Sequence, residues 1–599
     1  MYKPLVSSRF PVSGLAGLAL LLALGLPATS QTTPANVYVQ HNLVSDVPGM
    51  ADVTDPNLVD PWGIALSAAG PFWLSDAGTG KATVYNGAGT ITALVVTVPA
   101  GAKGPARASV TGQVSNAATA FLLANGTRAS FIFSTEDGTV SAWNTGTVAQ
   151  LLVDNSAAGA VYEGLAIGAS SLGPTLYLPN FNTGNIDVFD GKFAPATLAG
   201  SFKDPTLPAG FAPFNIWPVN GKLYVMYAKQ NAAKKRDTAG PGNGYVSTFD
   251  FNGNFLARVV TGSALNSPWG VAQAPAVWGA FGGALLVGNF GNGQINAFDP
   301  ATGNLLGTLK DNSGATITNL GLWGISFGNG GNGGDVNTLY FTAGIQNETH
   351  GLFGAIAPPS SILTVVNAAS GAPGSISPGE VVLIGGFTIG PSPRANATIP
   401  AAGTLGSTVG GVSVTFNGTP APILYASAST VATIVPYELG GAPSASVVLK
   451  FANAFNNVAP AAFTAQVAFT APGLFTLDAS GAGQAVAINQ DGTVNGSANA
   501  AAKGSAVLLY GTGEGSTAPS GQNGSITAGR ILPGPIFPVS LTIGGLPARV
   551  ISAASAPGTV AGILQVEAII PNGVSTGAVP VVMTVGSGNS QTGVTLSVK

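Results

Sequence analysis

Side chains able to do chemistry are scarce in this 599-residue chain. Histidine occurs twice, at His41 and His350, and cysteine is absent. Zero cysteine excludes disulfides, thiolate metal centres and Cys nucleophiles. A His-ligated transition metal would need both histidines to meet, with carboxylates besides. A Ser-His-Asp triad would have to run through one of the two. His41 falls in a strand-like run and His350 in a loop, so both read as structural histidines. Hard oxygen ligands offer a better route. Asp76, Glu136-Asp137, Asn180, Asn289 and Asn347-Glu348 each follow a strand-like segment. Together with Glu163 and Asn215 they could supply the six to eight oxygens that Ca²⁺ takes. Such an ion would polarise an ester carbonyl and activate water. That is the chemistry of a lactone or sugar-ester hydrolase, with Glu163 as the metal ligand. Asp-Gly, Asn-Gly and Thr-Gly pairs are also ordinary hairpin turns, however, and turn formation is the simpler reading.

Tryptophan gives the other candidate set. Trp62, Trp269 and Trp323 each stand before a glycine at the start of a strand-like run (PWGIA, PWGVA, LWGIS). Recurrence in register points to packing between neighbouring sheets. An aromatic floor that stacks on a planar ligand is the functional alternative. The favoured reading is non-catalytic and without a cofactor, Ca²⁺ entering only with the hydrolase alternative. A face lined by Trp62, Asp76, Glu136, Glu163, Asn180, Asn215, Trp269, Asn289 and Trp323 would bind a small molecule, a glycan or a protein. GNGGNGG (328–334) lacks the Lys-Ser/Thr and the helix of a phosphate loop. The basic cluster Lys229, Lys234, Lys235 and Arg236 could dock an acidic polymer, but a short charged run is usually solvated and weak in salt.

The elements that must position these residues repeat. Trp62, Glu163, Phe214, Trp269 and Trp323 hold equivalent places at spacings of 101, 51, 55 and 54, the first spanning two units. A strand-rich unit of about 50 residues is a propeller signature. Six blades are therefore expected over 36–358. Asn36–Asn42 is expected to complete the last blade and close the ring. The second blade should begin at TAFLLAN (119–125), and the third should end at ATLAGSF (196–202). NLVSDVPGMADVTDPNLVDPWGIA, FIFSTEDGTVSAW, LYLPNFNTGNIDVFD and KLYVMYAKQ resemble an uncharacterised family of exported bacterial proteins with an NHL-like six-bladed propeller. The resemblance implies fold and export, and no agreed activity.

Beyond Ala357 the text changes. A Pro/Ser-rich passage leads into short alternating strands over 359–467, and the pattern recurs over 471–599. Two Ig-like β-sandwiches are expected, with one interleaved double unit as the alternative. NAAS, GGVSVTFNGTPAP, VPYE, APGLFT and LLYGTGEG resemble a C-terminal module common in exported acidobacterial proteins, where it is appended to many N-terminal domains. That implies spacing or attachment. The fold class is thus all-β, a six-bladed propeller followed by two Ig-like sandwiches.

Charged residues make up only 8% and the formal charge is −3. Such a weak field argues against capture of nucleic acid. Lys3 and Arg9 precede the apolar run Gly14–Leu26, with small residues to Ser30. The run is shorter than the ~20 residues of a membrane span, so a cleaved signal peptide over 1–30 is expected. The mature protein is expected outside the cytoplasm (periplasm, cell surface or medium), as a monomer and not embedded in a membrane.

Overall fold

The computed structural model describes residues 35–452 and 460–599; the expected signal peptide lies outside them. The described residues are nearly all β, 48% strand and 2% helix. Two compact units divide it, Thr33–Pro359 and a second containing Ser360–Lys599. Among the described residues no helix is long and apolar enough to cross a membrane.

The first unit is propeller-like. Six sheets follow one another, antiparallel but for one short parallel pair in the sixth, each beginning with its innermost strand: Pro61–Leu66, Val110–Ser115, Ala166–Ser170, Phe211–Val219, Pro268–Gln273 and Leu322–Phe327. Strand order within the first five sheets is sequential, as short hairpin connections require. The sixth sheet ends differently. Its strand Val39–Ser45 comes from the opposite end of the unit and pairs antiparallel with His350–Ala357, Val39 opposite Ala357, and parallel with the two-residue edge strand Val53–Thr54. The two ends of the unit are thereby tied by backbone hydrogen bonds.

Two expected strands are not formed as such. The second sheet begins at Val110–Ser115 (VTGQVS), upstream of TAFLLAN. TAFLLAN instead makes a turn in which Phe121 adopts φ 62° and is fully buried. Its apolar run mimics a strand, whereas the true strand carries Thr111 and Gln113 for a reason given below. The third sheet has three strands. After one bridge at Pro195 the ATLAGSF segment leaves the ladder, and Phe202, at φ 53°, packs edge-on against Tyr177.

The second unit has two cores of its own. Over 361–466, one sheet carries Val382 and Ile384, the facing sheet carries Val414, Phe416, Val447 and Leu449, and all six are fully or almost fully buried in one cluster. Strand Val412–Phe416 alternates buried and half-buried positions, the period of a strand with one face inward. From 473 onward a long sheet of ten strands closes on Leu509, Val566, Val581, Met583 and Leu596. A third cluster joins the two parts, setting Val366, Leu383 and Ile434 against Phe475, Val486 and Ile563. These parts share apolar surface and so cannot be separated without exposing it.

Candidate functional site

The geometry of the first unit is decided by three-residue steps on its innermost strands or, in the third sheet, just before that strand. The steps are Trp62-Gly63-Ile64, Thr111-Gly112-Gln113, Glu163-Gly164-Leu165, Phe214-Asn215-Ile216, Trp269-Gly270-Val271 and Trp323-Gly324-Ile325. Glycine holds the middle place in five. A Cβ on Gly63 would lie 2.5 Å from the Thr111 carbonyl, and one on Gly112 2.4 Å from the Leu165 nitrogen. On Gly270 it would meet the Trp323 carbonyl at 2.6 Å, and on Gly324 the Trp62 carbonyl at 2.7 Å. Real Cβ contacts do not come that close, so the strands pack backbone to backbone only because no side chain intervenes. The Gly324–Trp62 approach brings the sixth sheet against the first.

Side chains then stitch neighbouring sheets. Thr111 Oγ1 donates to the Tyr162 carbonyl at 2.6 Å, and Thr342 Oγ1 to the Trp62 carbonyl at 2.7 Å. Gln113 Nε2 donates to Gly63 O at 3.1 Å. Asn215 takes the one middle place without glycine; its Nδ2 donates to Trp269 O at 2.9 Å and its Oδ1 accepts from the Ile216 amide at 2.8 Å. Polar residues on an inner strand thus satisfy backbone carbonyls facing the next sheet.

The residues preceding the glycines form a plug. Trp62 and Trp323 stack with centroids 3.5 Å apart, Phe290 stacks on Trp323 at 4.0 Å, and Trp269 meets both Trp62 and Trp323 edge-on. All three indoles are buried. Each buries about 200 Å², several kcal/mol of apolar burial at ~25 cal/mol per Å². Trp62 Nε1 and Trp323 Nε1 both donate to the Asp60 carboxylate, at 2.9 and 3.1 Å, and Trp269 Nε1 to the Glu163 carbonyl at 2.9 Å. Below the plug, the channel lined by the glycine ring, Ile64, Leu165, Val271 and Ile325 has only about 10 Å³, space for about one water.

Above the plug lies an acidic mouth. Glu163 is fully buried, and neither carboxylate oxygen has a hydrogen-bond partner. Burial drives its pKa well above the usual carboxylate range; the charges of Glu136, Asp237 and Glu348 add to the rise and Arg236 opposes it. Asp60 is pushed up to about 8 by burial and by Glu348, against the two indole donors. Glu348 sits in a left-handed turn in which Gln346, Asn347 and Glu348 all have positive φ (52°, 57° and 64°). Such backbone costs of order 1–2 kcal/mol per non-glycine residue. Burial raises the Glu348 pKa too, with Arg236 opposing. Arg236 arrives on a hairpin between the two middle strands of the fourth sheet, where the Asn231 amide donates to the Arg236 carbonyl at 2.8 Å. Its Nη1 lies 2.9 Å from Glu136 Oε1. Ser109 Oγ donates to the other Glu136 oxygen, and Ser267 Oγ to Asp237. Beside the mouth a cleft of about 310 Å³ is lined by Lys103, Ser109, Glu136, Asp137, Lys235 and Arg236, among others.

Of the nine residues singled out from the sequence, the mouth brings together Glu136 and Glu163, with the indoles of Trp62, Trp269 and Trp323 as its buried floor. Asp76, Asn180 and Asn289 are buried; the two asparagines are occupied elsewhere, while one Asp76 oxygen has no hydrogen-bond partner and the charge of Asp60 acts on this carboxyl. Thr83 Oγ1 donates to Asp76 at 2.8 Å, Asn180 Nδ2 to Asp187 at 3.0 Å, and Asn289 Nδ2 to Ala264 O at 2.8 Å. Asn215 belongs to the glycine ring. Among the described residues no group of three or more His, Cys, Asp or Glu side chains is placed to hold a metal ion. His41 lies 2.6 Å from Asp52, and His350 2.7 Å from Asp46. Asp60, Asp237 and the role of Arg236 were not legible from sequence. The signal available was Asp60-Pro61-Trp62 for the first, and an arginine in a long insertion between two strands for the last.

No family model matches the chain. It is 32% identical over 327 residues to Uncharacterized protein R648 of Acanthamoeba polyphaga mimivirus, an alignment covering 52% of this chain and 78% of that protein. The chain belongs to the family of R648. Uncharacterized protein L690 of the same virus is 29% identical over 327 residues, with 52% of this chain and 84% of L690 covered. Among solved structures, a streptogramin B lyase aligns at 14% identity with a TM-score of 0.32, covering 53% of this chain and 97% of the lyase.

Proposed function

We propose that the protein is an exported, non-catalytic binding protein whose six-bladed propeller recognises a ligand on the loop face, while two Ig-like C-terminal modules space or attach it. The six sheets, the ring of glycines and the closing strand Val39–Ser45 support the blade count. The paired sheets over 361–466 support a sandwich for the first module. One observation carries the choice of face. On the loop side the cleft of about 310 Å³ reaches the size of small-molecule sites, roughly 300–1,000 Å³. The channel beyond the tryptophan plug, at about 10 Å³, is too small for any organic ligand.

The test is a screen of the full chain against small metabolites and a glycan array, repeated with Pro105→Trp. Pro105 lines the cleft and is exposed, so the indole would fill the space at little cost to folding. Ligands retained by the native chain and lost by Pro105→Trp, at unchanged melting temperature, are the expected result. Equal retention by both proteins, or no ligand retained by either, overturns the reading.

A further inference from the structure

The mouth holds five acidic side chains, Asp60, Glu136, Glu163, Asp237 and Glu348, and the cation whose field reaches them is Arg236. Glu136 is met by Arg236 and Ser109, Asp237 by Ser267, and Asp60 by two indoles. Glu163 has no such partner at either oxygen and is 0% exposed. A buried carboxylate without a partner is costly in either protonation state: charged it lacks a counter-ion, and neutral its O–H lacks an acceptor. The charges of Glu136, Arg236, Asp237 and Glu348 all act on this buried carboxyl.

Arg236 indicates what suits this place. Its guanidinium is half exposed and held by one ion pair to Glu136, while its positive charge is stabilised by Glu136, Glu163, Glu348 and Asp60 together, against the cost of burial. The carboxylates are too dispersed to form a three-ligand metal group, and the adjoining cleft is far larger than a bare ion needs. A planar, delocalised cation on a flexible stem matches that spread better than a point charge. We propose that the acidic mouth is the binding site for a positively charged organic group, an amine or guanidinium, and that Arg236 is a tethered occupant which the ligand displaces. The inference rests on the loop face being the binding face and names the class of ligand taken there.

Proton linkage follows. Glu163 bound to a cation is ionised, whereas burial without a counter-ion favours its protonated form when free, so ligand binding should release a proton and strengthen as pH rises. The groups facing it are Glu136 from the second sheet, Arg236 and Asp237 from the fourth, Glu348 from the sixth and Asp60 beside the plug. The probe is agmatine, which carries a guanidinium and an ammonium, titrated calorimetrically into the full chain at about pH 6 and about pH 8 in two buffers of different ionisation enthalpy. Arg236→Ala should bind agmatine at least tenfold more tightly than the native chain, with proton release and higher affinity at the higher pH. Arg236→Ala combined with Glu163→Gln should lose about tenfold and lose the proton release. Glu348→Gln, on the half-buried turn, gives a milder second test should Glu163→Gln fail to fold. Equal affinity of native chain and Arg236→Ala, tighter binding of citrate than of agmatine, or no binding of agmatine overturns the proposal. If a neutral ligand is meanwhile retained in a Pro105→Trp-sensitive way, the cation assignment falls and the loop-face reading stands.

Discussion

Replacing Asp60 by asparagine isolates one proton in the stability of the first unit. In the unfolded chain an aspartate ionises at about 3.9. Folded, burial and the nearby charge of Glu348 push Asp60 up to about 8, although both its oxygens accept indole N–H bonds. The folded state therefore keeps a proton that the unfolded chain releases. Its stabilising contribution is complete below about pH 4 and is lost as the pH climbs to about 8. One proton corresponds to about 1.4 kcal/mol per pH unit, so between about pH 5 and pH 7 this group removes about 2.7 kcal/mol. A unit of about 330 residues has an unfolding entropy of roughly 0.7 kcal/mol per kelvin. The loss therefore amounts to a fall of about 4 °C in melting temperature. Asp60→Asn cannot titrate. It also loses one of the two indole bonds, about 1 kcal/mol, but it does so equally at both pH values. Scanning calorimetry of both proteins at both pH values separates the two effects. The native chain should fall about 4 °C further than the variant on going from about pH 5 to pH 7. Parallel falls would refute the claim that this carboxyl is buried with its proton.

Other substitutions reach other parts of the structure. Gly112→Ala puts a Cβ 2.4 Å from the Leu165 nitrogen, and backbone cannot rotate away as a side chain can; a loss of about 3 kcal/mol is expected, read as a fall of about 4 °C, and a change below about 1 °C would show that the ring has slack. Gly126→Ala, with no atom near its Cβ and φ 77°, should cost only the left-handed penalty of about 1 kcal/mol. In the second unit Glu514 is fully buried, both oxygens lack partners, and burial pushes its pKa up to about 8. Its stabilising proton is present below about pH 4 and lost as pH passes about 8. Glu514→Gln should therefore match the native chain at about pH 5 and outlast it in urea at about pH 9, by several kcal/mol; equal midpoints at about pH 9 would contradict this. Thr342→Val removes the bond donated to the Trp62 carbonyl and the one accepted from the Gly324 amide; a loss of about 1–3 kcal/mol in chemical denaturation is expected, and no loss would mean that water reaches the plug.

Much of the scaffold could be read from the chain alone, because local physics writes it plainly. Hairpin glycines, alternating strands and a repeat near 50 residues specify consecutive sheets, and the Trp-Gly steps mark where inner strands begin. The second sheet escaped because its inner strand carries Thr111 and Gln113, whose hydroxyl and amide serve carbonyls of neighbouring sheets 50 residues away in sequence. No local pattern announces a partner so distant. The site shows the same division. Glu163 stands out in sequence as the acid in a place otherwise held by Trp, Phe or Thr, but its isolation among other acids does not. Arg236 reads as a solvated loop charge, and only closure of the sheets carries it to Glu136. The sequence by itself determined the β class, the repeat and the glycines that let strands touch. Tertiary structure decided which acids share one mouth, which indoles seal it and which cation answers them, since burial and charge coupling arise only when distant residues are brought within a few ångströms in a dry interior.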